Sequence, residues 1–274
     1  SVSTIIGVPG VQHEMPYYPA KADEMADKCI NIAIENFKKR HGKIKPVVPK
    51  HKTKAIAGFS TEAVLNAVEN DIGKLVDVIA QGKIKGVVAL ANCSTLRNGP
   101  HDWNTVNLAK ELIKRDILIV AGGCGNHGLE VAGLCNLDAI QFAGEGLKEV
   151  CTALGIPPVL SFGTCTDTGR ISMLVTALAD YLDVDISDLP IAITAPEWME
   201  QKATIDGIFG VAYGAYTHLS PTPFITGAPN LVKLLTEDVE NITGGKIALG
   251  DDPVQAANDI EAHIIKKRDK MGLK

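Results

Sequence analysis

Short apolar runs alternate with amphipathic stretches along most of this chain. The apolar runs predict strands at 54–59, 86–92, 117–122, 158–162, 190–195, 222–226 and 246–249. The stretches between them repeat apolar residues at helical spacing and predict helices at about 60–81, 104–114, 126–135, 143–154, 168–182, 196–213, 229–236 and 252–268. Strands that are apolar on both faces and alternate with helices are typical of parallel sheets. The pattern therefore predicts an α/β fold with a doubly wound, mostly parallel sheet.

The N-terminal part of the chain follows a different pattern. Residues 1–18 predict a strand end and a loop, and residues 20–40 predict a helix that closes with a basic run. Residues 41–53 hold two prolines, four lysines and two histidines, which is typical of a linker. We therefore expect 1–43 to be the end of a preceding α/β domain and 44–274 to be a second domain.

Composition and charge argue against several classes of function. The chain has 274 residues, and its net charge of −5 provides no basic field for nucleic acid. No apolar run reaches the ~18 residues of a membrane helix, so we expect no membrane partner. The basic stretches 38–54 and 263–274 are interpreted as solvated surface. Because the chain begins at Ser1 without a leader, we expect a piece of a longer, cytoplasmic protein with reduced thiols.

Three cysteines follow three of the predicted strands. Cys93, Cys124 and Cys165 close the runs GVVALANC, ILIVAGGC and PPVLSFGTC. Ligands of open α/β sheets bind in the crevice outside the carboxyl ends of the strands, so we expect the three thiols to face one crevice. Soft thiolates in that position favour an iron–sulfur cluster. The alternative for each is a small buried hydrophobe, and this is the interpretation that we favour for the helical Cys29, Cys135 and Cys151.

Other polar residues are predicted near the same edge. Glu200 and Lys202 lie in the first turns of the helix predicted from about Pro196, after the strand LPIAITA. The alternative for the glutamate is a helix cap, and the alternative for the lysine is a plain surface residue. His101 and His127 lie on two of the cysteine-bearing loops and are candidate proton carriers, although most loop histidines carry no such role. The segment GCGNHG matches the dinucleotide pattern GxGxxG, but no strand ending in Asp or Glu follows at the required distance.

Several long segments of the chain resemble segments of one known family, and they occur in the same order. The segments are AGFSTEAV, GGCGNHGLEVAGL, FAGEGLKEVCTALGIPPVL, GTCTDTGRI, VDISDLPIAITAPEWMEQKA and KLLTEDVENITGGKI. They resemble the Rossmann-like C-terminal domain of the anaerobic nickel–iron–sulfur carbon monoxide dehydrogenases, and residues 9–40 resemble the end of that family's middle domain. The resemblance covers nearly the whole chain.

The resemblance implies a function and a set of ligands. It implies oxidation of CO to CO₂ with water at a Ni-Fe-S cluster of the C-cluster type, with Cys93, Cys124 and Cys165 as ligands and Lys202 as the residue that steadies the bound carboxylate. The remaining ligands then come from upstream domains or from another chain. The family further implies a homodimer and an electron-transfer partner such as ferredoxin.

One position departs from the carbon monoxide dehydrogenase pattern. Glu200 stands in WMEQKA, where that family often has serine, and resembles the W-x-E-Q-K-A motif of the hybrid-cluster proteins. In those proteins the glutamate binds an iron–oxo–sulfur cluster, and its distance from the preceding cysteine resembles the 35 residues between Cys165 and Glu200. The alternatives are therefore a carbon monoxide dehydrogenase scaffold with a nickel-free hybrid Fe-S-O cluster bound by Glu200, with hydroxylamine-reductase-like chemistry, or a cluster-free structural domain.

Overall fold

The computed structural model describes residues 2–3, 12–13, 18–43, 45, 47–199 and 201–273. Of residues 2–3, 12–13 and 201–202 it describes the backbone alone. The chain divides into two compact units, residues 1–52 and 53–274.

The first unit holds a small parallel pair of strands and a long helix. Strand β1 (Val2–Ser3) pairs with β2 (Gln12–His13), and a short 3-10 turn (Pro19–Lys21) leads into helix α1 (Ala22–Arg40). Helix α1 begins with acidic residues and ends with basic ones, an arrangement that complements the helix dipole. The predicted helix at 20–40 is confirmed.

The second unit contains a six-stranded sheet and its covering helices. The strands are β3 (Gly86–Asn92), β4 (Ile117–Gly122), β5 (Val159–Ser161), β6 (Ile191–Ala195), β7 (Tyr216–Leu219) and β8 (Lys246–Leu249). The helices are α2 (Thr61–Ala67), α3 (Gly73–Ala80), α4 (Trp103–Lys114), α5 (Gly123–Val131), α6 (Glu145–Leu154), α7 (Thr168–Leu182), α8 (Gln201–Ala212), α9 (Pro229–Lys233), α10 (Glu240–Thr243) and α11 (Pro253–Met271). Two 3-10 turns (Leu137–Phe142 and Ile186–Asp188) and one π-helical turn (Leu234–Asp238) complete it.

The strand order confirms the predicted doubly wound, parallel sheet. The order is β5-β4-β3-β6-β7-β8, and every neighbouring pair is parallel. In chain order this is the Rossmann arrangement, in which the chain reverses direction across the sheet between its first and fourth strands. That switch point lies between β3 and β6, beside the residue that follows β3.

Both faces of the sheet are covered. On β3, Val88 and Leu90 pack into the core formed with α4 and α11, whereas Val87 and Ala89 pack against the core formed with α7. This alternation is the period of two that a strand imposes on its side chains. The helices that cover the two faces bury β3 completely enough to explain its unbroken apolar sequence.

Two predicted strands are wrong. Residues 54–59 contribute an isolated bridge between Ala57 and Ser161 rather than a strand. Residues 222–226 form a turn, because Pro221 and Pro223 supply no N–H to a sheet, and the real strand is β7, a few residues earlier.

Strand β7 escaped prediction because two of its four residues are polar. Its sequence is YTHL, and all four residues are buried. The imidazole of His218 contacts the Thr194 hydroxyl and the Gly250 carbonyl, each at 2.8 Å, so its polar atoms are satisfied inside the sheet. Burial lowers the pKa of His218, which keeps the ring neutral.

Several predicted helices have different bounds. The helix predicted at 126–135 spans Gly123–Val131. The stretch 60–81 forms two helices, α2 and α3, because Glu69 and Asn70 adopt left-handed backbone angles between them. The helix predicted at 196–213 begins at Gln201. Across the described ranges, no helix combines the length and the apolar character needed to span a bilayer.

Candidate functional site

The three strand-end cysteines line one cavity of about 800 Å³. Cys93 directly follows β3, Cys124 is the second residue of α5 after β4, and Cys165 lies in the turn between β5 and α7. The cavity therefore lies at the carboxyl edge of the sheet, next to the switch point, where ligands of this fold bind. The fold thus brings the three predicted thiols together.

Backbone contacts at Gly123 hold the three cysteine-bearing turns together. Gly123 forms a parallel bridge with Asn92, and its N–H donates to the Gly163 carbonyl at 3.0 Å. Its φ is +83°, and a Cβ placed there would lie 2.8 Å from the Asn92 carbonyl oxygen and 3.6 Å from Cys165 Cβ. A side chain at this position would separate the strand ends, so the spacing of the cysteines depends on glycine.

We expect Gly123→Ala to lower the free energy of unfolding by about 2–4 kcal/mol, because it adds a backbone clash to the strain of a positive φ. Gly155→Ala is the matched control: Gly155 has a φ of +65° and open space around its Cβ position. That control should lose only about 1 kcal/mol. Denaturant unfolding of the two variants measures the difference, and equal losses would contradict the close packing at Gly123.

The cysteines of the second unit fall into two groups by position. Three of them border the cavity, although Cys93 is buried, Cys165 is half-buried and Cys124 is exposed. Cys135 and Cys151 are fully buried in the main core, which confirms their predicted packing, although Cys135 lies in the turn after α5 rather than on a helix. Cys29 on α1 is half-buried, so its predicted place in a core is wrong. Burial raises the pKa of both core thiols to about 12, aided at Cys135 by the nearby Glu130 charge. These two thiols therefore stay protonated and unreactive.

Hydrogen bonds attach α5 to the turn that carries Cys165. The Asn126 amide donates to the Ser161 hydroxyl at 3.0 Å and to the Gly163 carbonyl at 3.3 Å. Ser161 donates in turn to the Glu130 carboxylate at 2.8 Å. Helix α5, which contains Cys124, and the turn that contains Cys165 are thus fixed to each other.

Both predicted histidines line the cavity, although His127 lies within α5 rather than on a loop. His101 Nδ1 lies 2.7 Å from an Asp102 carboxylate oxygen, and His127 Nδ1 lies 3.8 Å from Glu130. Each imidazole therefore has a carboxylate neighbour. This arrangement suits proton transfer at the cavity wall.

Helix α8 supplies a cavity wall that sequence reasoning missed in part. Ala203 and Asp206 line the cavity from one face of α8, together with Met199 just before it. Burial raises the pKa of Asp206, against a smaller opposing effect of its hydrogen bond to Thr168. Asp206 lies four residues after Lys202, and this spacing, which places both positions on one helix face, was the feature of the sequence that could have identified it.

The two remaining predicted site residues are only partly described. Glu200 lies outside the described residues, and Lys202 is placed by its backbone in the first turn of α8. The roles of Lys202 and Glu200 stay predictions.

The sulfur donors of the site border one cavity. Among the described residues, no group of three or more His, Cys, Asp or Glu side chains is arranged to hold one metal ion. The soft sulfur atoms of the three cysteines match iron–sulfur chemistry.

Comparison with known proteins gives consistent matches. The profile of the Prismane/CO dehydrogenase family matches residues 1–254. A protein named carbon monoxide dehydrogenase from Archaeoglobus fulgidus is 56% identical over 272 residues, which cover 99% of this chain and 44% of that protein.

Solved structures agree with the sequence matches. The as-isolated, Ni-free carbon monoxide dehydrogenase from Thermococcus sp. AM4, produced without the CooC maturase, superposes with a TM-score of 0.89 at 44% identity, over 100% of this chain and 43% of that one. A structure reporting NiZn[Fe4S4] and NiNi[Fe4S4] clusters in acetyl-CoA synthase/carbon monoxide dehydrogenase superposes with a TM-score of 0.86 at 32% identity, over 97% and 41%. The chain spans less than half the length of these relatives.

Proposed function

This chain belongs to the Prismane/CO dehydrogenase family, and we propose that it is the cluster-binding part of an anaerobic carbon monoxide dehydrogenase. The complete enzyme oxidises CO with water to CO₂, two protons and two electrons. The observation that carries the proposal is the meeting of Cys93, Cys124 and Cys165 at one cavity, in a chain 56% identical to a carbon monoxide dehydrogenase.

The residues of the chain have distinct roles in this proposal. The three thiolates would hold a nickel–iron–sulfur cluster, which when bound would supply a soft metal site for CO and the redox chemistry of its oxidation. Lys202 donates a hydrogen bond to the carboxylate that forms from CO and water. His101, His127 and Asp206 border the cavity and accept the protons that the reaction releases.

The proposal also requires partners. The remaining cluster ligands come from upstream domains or from another chain, consistent with relatives that are more than twice as long. The complete enzyme is a cytoplasmic homodimer, and an electron-transfer protein such as ferredoxin takes the electrons. The N-terminal segment 1–43 belongs to a preceding domain.

A second candidate rests on Glu200. Its carboxylate in WMEQKA is a hard donor that suits an oxo-bridged iron better than nickel. In that case the same scaffold holds a hybrid Fe-S-O cluster without nickel, and reduces hydroxylamine rather than oxidising CO.

Metal analysis of the anaerobically purified complete protein separates the two candidates. We expect nickel in stoichiometric amount alongside iron and acid-labile sulfide, together with CO-dependent reduction of a viologen dye. We further expect Glu200→Ser to keep its nickel and iron, because glutamate is not a ligand in the leading proposal. Iron without nickel, lost in Glu200→Ser, would favour the hybrid cluster, and absence of both metals would contradict both candidates.

A further inference from the structure

Glu197 is a fully buried carboxylate at the carboxyl edge of the sheet. It follows β6 by two residues and is 1% exposed. Its oxygens accept three backbone N–H groups, from Asn104 at 2.8 Å, Thr105 at 3.1 Å and Thr95 at 3.3 Å. Buried carboxylates are costly unless they are hydrogen-bonded, so these contacts explain why the charge is tolerated.

A short series of hydrogen bonds links this carboxylate to Cys93. Thr105, whose N–H donates to Glu197, accepts through its hydroxyl from the Asn92 amide at 3.0 Å. The same Asn92 amide donates to the Cys93 carbonyl at 2.7 Å. Thr95, two residues after Cys93, is held by Glu197 directly. The backbone on both sides of the Cys93 thiol is thus attached to one buried anion.

The neighbours of Glu197 fix the approach to α8. The Pro196 carbonyl accepts from the side-chain amides of Asn98 and Asn104, at 3.2 Å and 3.1 Å. The Trp198 N–H donates to the Ser220 carbonyl at 3.0 Å. The segment 196–198 is therefore anchored on both sides, and it leads into the helix whose first turn contains Lys202.

We propose that Glu197 is a positioning residue that sets the placement of Cys93 relative to the start of α8. The inference rests on the proposed function, because it supplies the reason why a thiol and a lysine from opposite sides of the switch point need a fixed separation. Both carboxylate oxygens act as acceptors here, with two N–H groups at Oε1 and one at Oε2. Glutamine would turn a donor toward at least one of them.

The test compares two buried charged residues at opposite ends of β3. Glu197→Gln changes the carboxyl end, and Arg268→Met changes the amino end, where the 2%-exposed guanidinium donates to the Ile79 and Lys85 carbonyls at 2.9 Å each. Both variants of the complete protein should unfold at lower denaturant concentration. Only Glu197→Gln should also lower the cluster metal content and shift the electron paramagnetic resonance signal of the cluster.

A metal-independent measurement separates this inference from the proposed function. In metal-free protein, we expect iodoacetamide to alkylate Cys93 about tenfold faster in Glu197→Gln than in the wild type, because losing a charge-assisted hydrogen bond favours local opening by at least that factor. Peptide mass spectrometry gives the rate for each cysteine. An unchanged rate, or an equal rise in Arg268→Met, would overturn the positioning role. A wild-type protein that holds no cluster would instead overturn the proposed function. The alkylation rates of metal-free protein would still test the positioning role of Glu197.

Discussion

Cys124→Ala is expected to remove the cluster and with it all measurable CO oxidation in the complete enzyme. Cys124 is the exposed thiol of the three that border the cavity, on the first turn of α5. An alanine at this position leaves a metal atom without a thiolate, because the other two thiols of the described cavity wall, Cys93 and Cys165, already serve as ligands in the proposal. Iron, nickel and sulfide analysis, together with the visible absorption of the cluster, measures the loss.

Cys151→Ala is the matched control for this experiment. Its thiol is fully buried in the main core, away from the cavity, and its loss should cost about 1–2 kcal/mol of stability while the metal content stays at the wild-type value. Full metal content in Cys124→Ala would show that this thiol is not a ligand. An equal metal loss in both variants would show that stability, rather than ligation, controls cluster retention.

Lys202→Ala is expected to lower kcat for CO oxidation by about 10²–10³-fold while the cluster stays in place. Losing one preorganised donor to a developing anion has an effect of that size in other enzymes. Lys202 lies in the first turn of α8, where a positive charge gains nothing from the helix dipole, and this position is consistent with the proposed role. Steady-state kinetics with a viologen acceptor measures kcat, and elemental analysis checks the metal.

The control for the lysine is Lys110→Ala, which removes an exposed lysine from the middle of α4. It should leave kcat and metal content unchanged. A Lys202→Ala enzyme with wild-type kcat would contradict the proposed contact with the bound carboxylate. Loss of metal in that variant would place Lys202 in cluster assembly instead.

The sheet was predictable where its strands were apolar on both faces. Strands β3, β4 and β6 followed directly from unbroken apolar runs, and the order of strands and helices predicted a parallel sheet. Strand β7 was not predictable, because its histidine is buried through contacts with Thr194 and Gly250, which are distant in the sequence. Local patterns contain no information about such partners.

The candidate site, like the sheet, was predictable only in part. The position of a cysteine at the end of a strand follows from the sequence, and the parallel arrangement then brings three such ends to one edge. Glu197 was not identifiable, because its partner Asn104 lies 93 residues earlier in the chain. Asp206 required the additional knowledge of which face of α8 borders the cavity.

The adjacency of β3 and β6 has a consequence for biosynthesis. The pair β3–β4 joins neighbours in the chain, so the turns of Cys93 and Cys124 can meet as soon as the residues through Gly122 and α5 have left the ribosome. The pairing of Val87 with Ile191 and the contact of Asn104 with Glu197 must wait for roughly another seventy residues. We therefore expect nascent chains that end before β6 to hold thiols at the sheet edge without a fixed lysine-bearing wall. A metal that binds before α8 is translated would meet an incomplete pocket and become trapped there. We therefore expect metal delivery to follow the translation of α8.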